Sequence, residues 1–294
     1  MALRRTRGVH RRLLVALVLV GFVAAACGSS QQAEPTTRPQ NVEDKSISWS
    51  VVPAPADHHL RLGVVKSHVP GHHIGILLVT GTEGLSTDYP GVAHELATRG
   101  FDVAFGCWFA SAGSDAPSTQ QIKRISCDDA PNLVGVADAA LPNLNALVAG
   151  ARSVLHDYST LALVGFSRGG GIALLRASTG KTDPVVSVSG MVEGTSNLGN
   201  LPNEVNVVTR ADRIDAPVLL LHGEADNIVP VAQARDMEQA LRAHGADVVA
   251  KYYPGAGHGL PTVRTDAVEQ ITKFLCTRFD CPAGSQKPST TPAP

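Results

Sequence analysis

The sequence predicts an α/β fold, a mostly parallel central sheet with helices on both faces. Two observations carry this. Apolar strand-length runs alternate with stretches of helical period along most of the chain, which is the signature of parallel strands joined by crossover helices. Several of the runs, Leu161-Ala162-Leu163-Val164 and Val218-Leu219-Leu220-Leu221 among them, are continuously apolar, as expected of strands buried on both faces. With 294 residues, 44% of them hydrophobic and 17% charged, the chain is long enough for one sizeable core.

In chain order, the first strand candidates are Ser46–Val52 and Leu60–Val65, an expected antiparallel edge pair. Ile74–Val79, Asp102–Phe109, Leu161–Val164, Val185–Ser189, Val218–Leu221 and Val248–Tyr253 follow. A short helix is expected from Gly91 to Thr98, ended by Gly100. Leu144, Leu147, Val148, Ala151, Val154 and Leu155 fall at helical spacing behind Pro142, which suits a first turn. Gly170–Ala177 reads as a helix directly after a strand and a tight turn. Ala234, Met237, Ala240 and Leu241 form the next stripe, closed by Gly245. Val268, Ile271, Phe274 and Leu275 form the last. Residues 191–215, rich in Gly and Asn, are either a small lid or a surface loop.

The two ends differ from this body. Arg4, Arg5, Arg7, Arg11 and Arg12 precede a 14-residue stretch without polar side chains, Leu13 to Ala26. A basic start, a short apolar run and small residues make a secretory signal, and the run falls short of the ~20 residues of a membrane span. Ala24-Ala25-Ala26 before Cys27 resembles the lipobox of bacterial lipoproteins, although Ala24 stands where a branched aliphatic residue is usual. The resemblance implies cleavage before Cys27 and lipid on its sulfur, which would anchor the exported protein to the cell membrane on its extracytoplasmic side. The expected organisation is a signal peptide over 1–26, a lipidated tether over 27–45, the folded domain over 46–282 and a disordered tail over 283–294.

Loss of five arginines with the signal leaves 20 Lys and Arg against 26 Asp and Glu, about −6 overall. With no basic cluster left, nucleic acid is not an expected partner. Cys107, Cys127, Cys276 and Cys281 are an even set in an exported chain and suggest disulfides. Of the three possible connectivities, Cys107–Cys127 and Cys276–Cys281 are favoured because each is local; free buried thiols are the alternative. Asp57-His58-His59 and His72-His73 invite a metal reading, but neighbouring residues on a strand point to opposite faces and the spacing matches no known site, so no metal is expected.

The chemistry gathers around Gly165-Phe166-Ser167-Arg168-Gly169, a G-x-S-x-G between a strand and a helix. Such a turn is crowded, so the positions two before and two after the serine must lack bulk, and it lifts the hydroxyl clear of the backbone. A serine hydroxyl is a weak nucleophile without a base, and the base needs an acid to fix its tautomer. His258, in the loop Gly255-Ala256-Gly257-His258-Gly259 after the last strand, is the candidate base. Asp226 is the candidate acid, in a loop after Val218–Leu221, with Glu224 in reserve. For an oxyanion hole, the backbone N–H of Arg168 is the first donor, and Thr82, or failing it Glu83, the second. Trp108 and Phe109 either line an acyl pocket or cover core, and the Arg168 side chain either meets an acidic substrate or faces solvent.

From about residue 60 to 276 these motifs, with Ile76-Leu77-Leu78-Val79-Thr80-Gly81 and Leu96-Ala97-Thr98-Arg99-Gly100-Phe101, resemble the α/β-hydrolase superfamily, most closely its dienelactone-hydrolase-like and serine esterase branch. The resemblance implies hydrolysis of esters or related acyl bonds without metal or organic cofactor, on a small acyl or ester substrate. Dienelactone hydrolases usually carry Cys where this chain has Ser167, which favours a general carboxylesterase or similar acyl hydrolase.

Overall fold

The computed structural model describes residues 44–55, 58–69, 73–82, 84–85, 88–108, 138–155, 158–197, 199–200, 205–279 and 281. In chain order the elements are β1 (Ile47–Ala54), β2 (His58–Val65), β3 (Ile74–Val79), α1 (Asp88–Ala97), β4 (Asp102–Gly106), α2 (Leu141–Val154), β5 (Thr160–Phe166), α3 (Arg168–Ala177), β6 (Val185–Val188), the short β7 (Thr195–Ser196) and β8 (Gly199–Asn200), β9 (Val218–Gly223), α4 (Val231–Ala243), β10 (Val248–Tyr253) and α5 (Arg264–Cys276).

Eight strands form one sheet in the order β1-β2-β4-β3-β5-β6-β9-β10. β2 runs antiparallel to both β1 and β4, and every other pairing in this sheet is parallel; β7 and β8 form a separate antiparallel pair. The expected edge pair is therefore present, with Ile47 opposite Val65 and Ala54 opposite His58. All six residues of β3 and of β9 are buried, as their continuous apolar runs require. α1 packs on β4 and α5, and α2 packs on β1, β2 and α3.

Two strands end earlier than the sequence suggests. β4 stops at Gly106, after which Trp108 turns its indole N–H onto the Thr80 carbonyl at 2.7 Å. β6 stops at Val188, because Ser189 takes a positive φ of 48° and turns the chain. Pro142 does occupy the first turn of its helix. None of the described residues of the 191–215 segment lines the cavity described below: Met191, Val192 and Val207 are buried, and the Gln233 side chain of α4 accepts from the Val192 and Glu193 N–H groups and donates to the Thr195 carbonyl.

Cys276 and Cys281 form a disulfide with a Cα–Cα distance of 5.1 Å, as their proximity in sequence suggests. Cys107 is also disulfide-bonded, while Cys127 lies outside the described residues. So do Cys27 and the whole of residues 1–43, Asp57, His72, Glu83, Phe109 and the tail from 282. Among the described residues no helix is long and apolar enough to cross a membrane, and no three potential metal ligands converge.

Candidate active site

Ser167 stands between the end of β5 and the first residue of α3 with φ 52° and ψ −122°, a conformation costly for any residue with a side chain. The surrounding bonds hold it there. Its N–H donates to the Val188 carbonyl at 2.9 Å, and its own carbonyl accepts from Gly170, Gly171 and Met191. The flanking glycines are sterically required. A Cβ on Gly165 would lie 2.3 Å from the Gly169 carbonyl oxygen, and one on Gly169 would lie 2.2 Å from that of Val79. The five-residue motif is thus the path by which β3, β5 and α3 come into backbone contact, and the strained serine is its by-product.

His258 and Asp226 come from the loops after β10 and β9. Those strands pair in register, Val248 opposite Val218 and Tyr253 opposite Gly223, so their carboxyl ends deliver both loops to the same edge of the sheet. The loops are then laced together: Glu224 N–H donates to the Tyr253 carbonyl and Ala225 N–H to that of Ala256. His258 Nδ1 lies 2.8 Å from Asp226 Oδ2. With Nδ1 donating to the carboxylate, Nε2 is the ring nitrogen left unprotonated.

The Asp226 side chain has no exposed surface. Burial alone would favour its neutral form. That effect is outweighed by hydrogen bonds from His222, His258 and the Val229 and Ile228 N–H groups, which hold the carboxyl well below the usual carboxylate range. The two N–H groups donate to Oδ1 at 2.9 Å each. His222 Nε2 lies 3.3 Å from Oδ2 and 2.9 Å from the Val229 carbonyl oxygen. A carbonyl only accepts, so Nε2 carries the proton and His222 donates to both.

His222 is the residue that sequence reasoning missed. It closes an apolar strand and reads as the start of a polar turn. The available signal was its place, a histidine on a strand buried at all six positions, four residues before the acid. Glu224, the reserve acid, is paired instead with Arg235 at 2.6 Å on the outside.

The two proposed oxyanion donors are placed differently. Arg168 is the first residue of α3, where backbone N–H groups have no partner inside the helix and the helix dipole favours negative charge. Thr82 is exposed, in a turn closed by the Gly84 N–H on the Gly81 carbonyl at 3.1 Å, and does not line the cavity in front of Ser167. The Arg168 side chain does not reach solvent: it is 1% exposed, with its guanidinium 5.8 Å from the Trp108 ring. Trp108 is likewise fully buried and lines no part of the cavity; it covers core and fixes the Thr80 carbonyl.

That cavity, about 540 Å³, opens on Ser167 and His258 and extends between α1 and α5. Its walls are mainly apolar, with Val92 on one helix and Ala267, Val268 and Ile271 on the other.

Residues 63–272 match the model of the dienelactone hydrolase family. The chain belongs to that family. As a dienelactone hydrolase family member it is 32% identical over 212 residues to a Methylorubrum extorquens protein named as a carboxymethylenebutenolidase, 68% of this chain and 69% of that one. Acyl-protein thioesterase 1 of Gibberella zeae is 32% identical over 117 residues, 38% of this chain and 47% of the thioesterase, so the chain spans about half the length of that relative. An esterase of Pyrococcus furiosus superposes with a TM-score of 0.62 at 14% identity, covering 79% of this chain and 91% of the esterase, a likeness of fold.

Proposed function

We propose that this dienelactone hydrolase family member is an exported, lipid-anchored serine hydrolase that cleaves carboxylic esters or related acyl bonds through an acyl-enzyme. The observation that carries the reading is a strained Ser167 on an elbow, sharing one cavity with a His258 that a buried carboxylate orients at 2.8 Å. In this mechanism His258 Nε2 takes the Ser167 proton as Oγ attacks the carbonyl carbon. Asp226 holds the ring in the required tautomer and stabilises the imidazolium. Backbone N–H groups of Arg168 and Thr82 receive the oxyanion, the second after the 81–84 turn adjusts around substrate. His258 then protonates the leaving group, and water, activated by the same nitrogen, releases the acid. The names of the thioesterase and carboxymethylenebutenolidase relatives both describe cleavage at acyl carbon and support the class. Ser167, with no Cys at this position, favours a general esterase.

A fluorophosphonate probe tests the assignment. Intact protein should be labelled at Ser167, and Ser167→Ala should abolish labelling and lower p-nitrophenyl ester turnover by roughly 10⁴–10⁶. Equal labelling of the variant would refute it. Transfer to added alcohol or cleavage of peptide in preference to water and ester would redirect it to an acyltransferase or a peptidase. A protein that is folded and unlabelled would be a binding protein on the same fold.

A further inference from the structure

We infer that the substrate carries an uncharged aliphatic chain next to its scissile carbonyl, and that this chain lies in the cavity between α1 and α5. The inference rests on the serine hydrolase reading and adds the substrate class to it. The polar groups at the cavity wall other than Ser167 and His258 are either bonded to a neighbour or exposed to solvent. The Tyr89 hydroxyl accepts the Gly81 N–H at 2.7 Å, and the Tyr89 ring is set edge-on to Phe166 with centroids 5.4 Å apart. Arg264 is paired through Nε with Glu95 at 3.2 Å, and Asp88 is exposed in the first turn of α1, where the helix dipole favours a carboxylate. What remains is Val92, Ala267, Val268 and Ile271 facing the space, with Ser167 and His258 as its reactive polar groups. At about 540 Å³ the space lies within the range of pockets that enclose a small organic ligand. Against Val92, Ala267, Val268 and Ile271 a buried charge or hydroxyl of the substrate would find no partner, whereas each methylene would leave water for an apolar wall.

The chain can belong to the acyl or the alcohol side of the ester, and two series of esters separate these. One is p-nitrophenyl esters from acetate to dodecanoate; the other is acetate esters of alcohols of rising length. One series should show kcat/KM rising by up to about fourfold per methylene, the ~0.8 kcal/mol of a buried CH₂, until the cavity is full. Val92→Phe and Ala267→Phe, on opposite walls, should each cut the octanoyl-to-acetyl ratio, or its alcohol-side equivalent, at least tenfold. In parallel, a fluorescent fatty acid should bind Ser167→Ala protein saturably and be displaced by octanoate. Preference for acetyl in both series, a preference for benzoyl esters, or unchanged ratios in both folded variants overturns the inference. If the wall variants do not fold, absence of saturable fatty-acid binding to Ser167→Ala overturns it. Failure of the hydrolase reading is distinct: no fluorophosphonate labelling and no ester cleavage, whatever the fatty-acid result.

Discussion

At the scale of the residue, Asp226 is the most constrained group of the site. Four donors converge on a carboxylate with no exposed surface, and two of them, from His222 and His258, meet at Oδ2. The fold therefore binds the charged form more tightly than the unfolded chain does, which depresses the folded pKa. A depressed carboxyl contributes stability that is fully present above its unfolded value of ~3.9 and is lost as pH falls below that value toward the folded one. Thermal melts from pH 7 to pH 3 should show wild-type stability dropping steeply at the acid end. Asp226→Asn should be less stable at pH 7 and lose less over the same window. His222→Leu removes one donor and should show an intermediate acid dependence, with His222→Gln, which keeps an amide donor, closer to wild type. Equal acid slopes in all four proteins would mean that Asp226 is not held as the structure indicates. Ser167, Asp226 and His258 were legible in sequence because loop glycines and chain order mark them. His222 was not, because its partners are an acid and a carbonyl that only the β9 turn folds back onto it.

At the scale of the element, the elbow is a packing device. β3 and α3 approach so closely that Gly169 has the Val79 carbonyl oxygen where a Cβ would sit, 2.2 Å away. The obstruction is backbone of a central strand with every residue buried, so it cannot swing aside as a flexible side chain would. Gly169→Ala should thus cost about 1–3 kcal/mol or more of stability. In the soluble fraction that remains, it should reduce fluorophosphonate labelling, because displacing α3 moves the Arg168 N–H from the serine. A variant with wild-type melting and labelling would show that β3 and α3 are not this close. The same closeness explains what sequence made visible here and what it hid. A glycine two residues after the serine announces the contact in the letters themselves. The α1–α5 cavity has no such mark: Val92 and Ile271 look like core stripe residues, and only the crossing of two helices distant in sequence leaves space between them. Trp108, open in sequence between pocket wall and core, covers core, with its indole N–H taken by the Thr80 carbonyl.

At the scale of the whole molecule, the sheet carries the fold and the loops at one of its edges carry the chemistry. The continuously buried β3 and β9 lie inside the sheet, and the partly exposed β1 and β10 form its edges. Strand existence was therefore readable, whereas the β4 and β6 ends were set by tertiary partners, Thr80 for Trp108 and the turn at Ser189. The remaining question at this scale is where the molecule works. Five arginines, an apolar stretch of 14 residues and Ala24-Ala25-Ala26-Cys27 favour export with acylation at Cys27. The physical consequence is an enzyme confined to a plane, since several acyl chains on one residue hold a protein on a bilayer that a single chain would leave. The proposed chain-binding cavity and the proposed membrane anchor would together suit a substrate that also partitions into lipid. In a bacterial host, the full-length protein should sediment with membranes, dissolve in detergent and incorporate labelled palmitate. Cys27→Ala should lose the label and leave the membrane fraction, with ester hydrolysis per folded molecule in detergent unaltered, because residue 27 precedes the catalytic domain. Palmitate incorporation or membrane retention by Cys27→Ala would place the anchor elsewhere, and release of both proteins into the medium would reduce residues 1–26 to a secretory signal alone.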